Sequence, residues 1–165
     1  MDAAASQNKL YEEIQDLLKN GGATDSNLQL ILEKILTWSG CTTGTLHSFD
    51  AKSQMLLMRA KKGLPDMLLE KVRAIPIGKG MAGLAAQRKE PIQVCNLQTD
   101  ESGVAKPSAK ETKVAGSITV PLMVGADMRG TLGIAKTEVY EFGKEEIDFL
   151  MKLGNLMGQH FPPSK

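Results

Sequence analysis

Aromatic residues are scarce: one tryptophan, two tyrosines and four phenylalanines make up 4% of the 165 residues. That excludes the stacking platforms on which single-stranded nucleic acids are held. No excess of one charge exists either. Twenty lysines and arginines against nineteen aspartates and glutamates leave +1, and the basic pairs Lys61-Lys62 and Arg88-Lys89 stand apart. No basic field awaits a phosphate backbone, so nucleic acid is not expected as a partner. The chain has two cysteines, Cys41 and Cys95, without a Cys-x-x-Cys spacing or a His/Cys cluster. This argues against a metal site and for a reducing compartment, with no cofactor required by the sequence. No apolar run is long enough to span a bilayer, and the first residues lack the pattern of a signal peptide. A cytoplasmic protein with no membrane partner is expected.

What is present is a change of hydrophobic period along the chain. Leu10, Ile14, Leu17 and Leu18 recur at helical spacing, and Asn20-Gly21-Gly22 ends that helix. Thr24-Asp25-Ser26 supplies cap residues for a second helix with the stripe Leu28, Ile31, Leu32, Ile35 and Leu36, stopped by Gly40. From Thr42 the period becomes two, predicting strands over 42–49 and 54–61 around the turn Asp50-Ala-Lys-Ser53. Pro65 fits the first turn of a short helix that runs to Val72. A strand over 75–77, a helix over 82–88 and a strand over 91–95 follow. Residues 97–112 show no period and are long for an unstructured loop, a kind that is often functional or mobile, and are expected to act as a lid over a ligand. Strands over 114–124 and 128–136 form a hairpin, and a last helix over 144–161 is stopped by Pro162-Pro163. The order predicts an α+β fold with an antiparallel sheet. The expected division is an N-terminal helix at 1–23, a domain at 24–161 and a tail at 162–165.

The strands predict a sheet with two unlike faces. Leu46, Ile118, Val120, Leu122, Leu132 and Ile134 are large and apolar, whereas Thr45, His47, Ser117, Thr119, Thr131 and Gly133 are small or polar. The second face is either wet or roofed by the short helices to make a pocket. The pocket is favoured because residues 64–88 bring Leu68, Leu69, Val72, Met81 and Leu84, which need a surface to cover. The stretch Ile75-Pro-Ile-Gly-Lys-Gly-Met-Ala-Gly reads as strand, glycine turn and helix start. It acts as a hinge that brings Lys79, Gly80, Met81 and Ala82 to the pocket wall, with Val94 on the neighbouring strand. Helix N-termini also attract anions. His47 is weighed as a ligand residue against a packed or solvent-facing one, and Cys95 as a reactive thiol beside the pocket against a small buried strand residue, the buried residue being expected. The last helix is apolar on two sides, with Ile147, Leu150, Met151, Gly154, Met157, Gly158 and Phe161 on one and Phe149, Leu153 and Leu156 on the other. The first helix or a second copy of the chain could cover the second side, so a homodimer through the terminal helices is expected.

The series Gly78-Lys79-Gly80-Met81-Ala82-Gly83, Pro91-Ile-Gln-Val94, Ser117-Ile-Thr-Val-Pro121 and Gly130-Thr-Leu-Gly133 resembles the GAF domain family over residues 24–161. The resemblance implies a six-stranded antiparallel sheet, terminal helices on one face and a ligand pocket on the other. It further implies a regulatory sensor of an unidentified small molecule in signal transduction, without catalysis of its own, often dimeric and coupled to an output domain or partner protein. The chain looks like a stand-alone or excised domain of this kind. Ala135-Lys136, Phe142 and Glu145-Glu146 depart from the Asn-Lys, Phe, Asp-Glu pattern of relatives that bind cyclic nucleotides. Neither cysteine precedes a histidine, as bilin attachment would require. Free methionine sulfoxide reductases are GAF enzymes with several cysteines around the pocket loop; here only Cys95 lies near it. A redox enzyme using Cys95 and a ligand-free dimerisation module are the alternatives.

Overall fold

Helix α1 (Ala3–Gly21) begins where the Asp2 carboxylate accepts the N–H of Ala5 at 2.7 Å, in a computed structural model that describes residues 2–105 and 112–165. It buries Leu10, Ile14 and Leu18, each contributing about 1.5–3 kcal/mol if fully transferred from water. Helix α2 (Asp25–Ser39) starts at Thr24, whose hydroxyl accepts the Asn27 N–H, and ends at Gly40 in the left-handed conformation. Strands β1 (Thr43–Asp50) and β2 (Met55–Lys62) form a hairpin. Helix α3 (Asp66–Val72), strand β3 (Ala74–Pro76), helix α4 (Gly80–Arg88) and strand β4 (Ile92–Val94) follow. Strands β5 (Ser117–Val124) and β6 (Asp127–Ala135) and helix α5 (Lys144–Gly158) complete the order.

The strands form one antiparallel sheet in the order β3-β2-β1-β6-β5-β4. The expected α+β architecture is the observed one. Leu46, Ile118, Val120, Leu122, Leu132 and Ile134 share a core with α1, α2 and α5. Gly154 and Gly158 let α5 lie close on β5: a side chain at either would meet Leu122 or Val124 at 3.2 Å. The second side of α5 is covered from within the chain, with Trp38 of α2 tilted against Phe149 at 4.9 Å and the Lys152 ammonium over the Tyr11 ring. No helix among the described residues is long and apolar enough to cross a membrane.

The opposite face carries α3 and α4. Phe49, Leu56, Ile75, Ala86 and Met128 make a second core there. Helix α4 starts two residues earlier than the sequence suggested, because Gly78 and Gly80, at φ 89° and 66°, complete the turn sooner. Gly78 donates to the Gly83 carbonyl at 2.8 Å, and a Cβ on Gly83 would stand 2.5 Å from the Pro76 carbonyl. Of the loop expected over 97–112, residues 106–111 lie outside the described residues, and so does that part of its expected role as a lid.

Two stability predictions follow from these contacts. The buried Asn27 amide donates to the carbonyls of Leu17 and Gly22, both at 2.7 Å, tying the turn between α1 and α2. Asn27→Ala leaves both acceptors without that donor and lowers unfolding free energy by about 1–3 kcal/mol in urea titration. Gly83→Ala forces backbone apart where α4 folds back on β3 and costs about 1–3 kcal/mol or more in the same assay.

Candidate functional site

Where the floor side chains are small, the roof does not reach the sheet. A cavity of about 170 Å³ lies between β1, β5 and β6 below and α3, β3 and the start of α4 above. Thr45, Gly133 and Thr119 lie side by side on its floor, since Thr45 and Thr119 each pair with Gly133 across neighbouring strands. Thr45 and Gly133 keep exposed surface in the middle of the sheet, and that surface faces the cavity. Ser117 and Ala135 close one end of the floor. Leu64, Leu68, Val72 and Ile75 form the apolar roof, and Leu97 and Val114 close the side beneath the loop.

Nine of the eleven residues singled out from the sequence meet at this cavity: Thr45, His47, Ser117, Thr119 and Gly133 from the strands, and Lys79, Gly80, Met81 and Ala82 from the turn and helix start. The cavity wall does not include Thr131 or Val94. Thr131 pairs with His47 on the same sheet face but is 1% exposed, where α4 packs on β5 and β6. Val94 is consumed in a small core with Leu97, Val114 and Ala135. Sequence reading missed Thr43, although it shares strand parity with Thr45. It also missed Lys71, which lies three residues from Leu68 on the inner side of α3.

His47 is the most constrained polar group here. Its ring is 1% exposed, and Nε2 lies 2.7 Å from the carbonyl of Val72, the last residue of α3. A carbonyl only accepts, so Nε2 carries the proton and Nδ1 presents a lone pair. That Nδ1 has no hydrogen-bond partner among the described residues. Burial pushes the imidazole below its ordinary pKa, against the opposite pull of the Val72 carbonyl, which keeps the ring neutral at neutral pH.

The start of α4 is the other polar feature. Lys79 offers no side-chain cap, and the N–H groups of Gly80, Met81 and Ala82 find no acceptor among the described residues. These residues line the cavity. Lys71 and Lys79 stand at its rim, exposed and outside every ion pair of the described residues. No carboxylate is among the described wall residues. Hence the cavity combines an apolar roof, a hydroxyl-lined floor and a positive rim.

The thiols lie elsewhere. Cys41 is buried in the core of the other sheet face, and burial pushes its thiol above the ordinary range. Cys95 is exposed, contrary to the buried strand residue expected. Strand β4 ends at Val94, which takes the inward position, so the next residue turns outward. Neither cysteine is on the cavity wall. No group of three or more His, Cys, Asp or Glu among the described residues is arranged to hold a metal.

A family model of the GAF domain matches residues 24–161. No curated protein sequence matches the chain. Among solved structures, the GAF domain of a phosphoenolpyruvate-protein phosphotransferase from Coxiella burnetii superposes with a TM-score of 0.79 at 21% identity, covering 96% of this chain and 94% of that one. The free methionine-R-sulfoxide reductase from Neisseria meningitidis, solved with its substrate, gives 0.78 at 18% identity over 98% and 91% of the two chains. A putative GAF sensor protein from Burkholderia vietnamiensis gives 0.77 at 18% identity over 98% and 96%. At such identities the likeness establishes the fold, which enzymes and non-enzymes share. The match of the family model extends over most of the sequence, from the cap of α2 to the end of the chain's last buried residue, Phe161. The chain belongs to the GAF domain family.

Proposed function

We propose that this protein is a sensory domain that binds a small molecule in the cavity under α3 and α4 and relays its occupancy to an output region or partner in the cytoplasm, with no catalysis of its own. The observation that carries this reading is the polar, partly accessible floor at Thr45, Thr119 and Gly133 beneath an apolar roof. Sites for small molecules are commonly apolar concavities with a few placed polar groups. An engineered apolar cavity of about 150 Å³ accepts benzene, so the space suits a ligand of roughly that size. A cyclic nucleotide is not proposed, because Ala135 and Glu145-Glu146 depart from the pattern of relatives that bind one. The redox alternative draws little support, because neither sulfur borders the cavity and the buried thiol is held protonated.

Two experiments test the proposal. A thermal-shift screen of small metabolites is expected to return a compound that raises the melting temperature. In Gly133→Val the new side chain occupies the floor between the Thr45 and Thr119 hydroxyls, which a Cβ would meet at 3.3 and 3.2 Å. The variant keeps the circular dichroism of the parent and loses the thermal shift; the smaller Gly133→Ala weakens it. A full shift in Gly133→Val places the ligand elsewhere. Secondly, Cys95→Ser is expected to bind the same compound unchanged, and incubation with methionine sulfoxide is expected to leave Cys95 unoxidised by mass spectrometry. Turnover lost in Cys95→Ser would establish the enzyme instead.

A further inference from the structure

We propose that the cavity takes a short aliphatic monocarboxylate, its carboxylate oxygens seated above Gly133 between the hydroxyls of Thr45 and Thr119 and its hydrocarbon body under the roof. This rests on the cavity being a ligand site, and it names the chemical class of that ligand.

Two hydroxyls on the floor are aimed at one point. Gly133 lies between Thr45 and Thr119 on adjacent strands, all three on the cavity wall. The place where a Cβ would stand on Gly133 is 3.3 Å from Oγ1 of Thr45 and 3.2 Å from Oγ1 of Thr119. Both hydroxyls therefore converge on the space above the glycine, which has no side chain to fill it. Neither makes a hydrogen bond among the described residues. Thr119 is nonetheless only 5% exposed, and a polar group so buried ordinarily has a partner. Unlike Nδ1 of His47, neither oxygen is sealed from the cavity. A single polar atom above Gly133 gives both hydroxyls a partner at once.

The start of α4 says which kind of atom. Met81 packs on the small core of Val94, Leu97 and Ala135, and Ala82 on that of Phe49 and Met128. The first turn of α4 thus bridges the strip of sheet between those cores, where Gly133 and Thr119 lie. Its N–H groups find no acceptor among the described residues, and the aligned peptide dipoles favour negative charge there. Lys71 and Lys79 add positive charge at the rim, and no carboxylate is among the described wall residues. The hydroxyls, the N–H groups and the ammoniums can all donate. A group that only accepts satisfies them together, and a carboxylate brings two oxygens to do so. Behind it the roof of Leu64, Leu68, Val72 and Ile75 offers hydrocarbon alone, which suits an aliphatic body.

The test titrates isovalerate, its neutral isostere isovaleramide and acetate calorimetrically into the full chain. Isovalerate is expected to bind about tenfold more tightly than isovaleramide, because hydrogen bonds to a charged acceptor are the stronger ones. It is expected to exceed acetate by on the order of tenfold as well, since acetate has no body to bury under the roof. Thr45→Val and Thr119→Val keep the shape of the floor and remove one hydroxyl each. Each is expected to lower isovalerate affinity about tenfold and to shrink the preference over the amide, while the gain over acetate remains. Thr131→Val, on the same sheet face but covered by α4, keeps the affinity within about twofold. Circular dichroism checks the fold. The two threonines sit on different strands, so if one variant fails to fold the other carries the test, and the comparison of isovalerate with isovaleramide needs no variant. Equal binding of isovalerate and isovaleramide, or unchanged isovalerate affinity in a folded Thr45→Val or Thr119→Val, overturns the inference. Should isovalerate not bind while another compound from the metabolite screen does so in a Gly133-dependent way, this inference falls and the sensory reading stands. Should nothing bind at all, both fall.

Discussion

A strand shows every second side chain to each of its faces, and β1, β6 and β5 lie together in the middle of the sheet. The rest of the molecule depends on how that alternation is filled. On one face the positions hold leucine, isoleucine and valine, so α2 and α5 press into them and form the principal core. On the other face the size of the side chains changes along the strands. Beneath the second half of α4 the floor offers Phe49 and Met128, which meet Ile75 and Ala86 in a filled contact. Two same-face positions further along, past His47 and Thr131, the floor shrinks to Thr45, Gly133 and Thr119, and the same roof no longer touches it. The cavity is therefore a consequence of small residues beneath a roof whose height is set elsewhere.

What fixes that height is a set of short contacts at the filled end. Gly83 lies so close to the Pro76 carbonyl that no other residue fits without displacement, and the three-residue β3 hangs on β2 through Met55, Leu56 and Leu57. His47 then ties the end of α3 to the floor through Val72. A buried imidazole is a costly choice for a mere tether, because it leaves Nδ1 unpaired among the described residues. The excess polarity of His47 is what separates this wall from an ordinary packing contact.

Much of this was readable in the sequence, and the reasons differ by element. The two faces of the sheet follow from a period that any register preserves, so the floor residues Thr45, His47, Ser117, Thr119 and Gly133 could be named in advance. Depth along the strand could not. Thr131 has the parity of its neighbours, yet it is covered by α4, because parity says which face a side chain takes and not what lies above it. Cys95 failed for a related reason: Val94 takes the inward position at the end of β4, so the next residue turns outward. The Asn27 amide, which holds two carbonyls at the turn between α1 and α2, carries no periodic signal at all. The second apolar side of α5 was legible as a need for a neighbour, but two neighbours could meet that need, and α1 and α2 do so within the chain.

The same constraints decide which wall of the cavity yields when its contents change. Strands β1, β6 and β5 are each paired on both sides, so a shift of the floor would break two ladders at once. Helix α3 is seven residues long, starts at Pro65 without a side-chain cap, and leaves Met67 largely exposed. Segments with few buried contacts open at lower free energy than core strands. Strain introduced at the cavity is therefore taken up by α3 and its link through Val72 to His47, not by the sheet. On the proposed sensory reading, the floor is the fixed reference and the roof the part that responds to what lies beneath it.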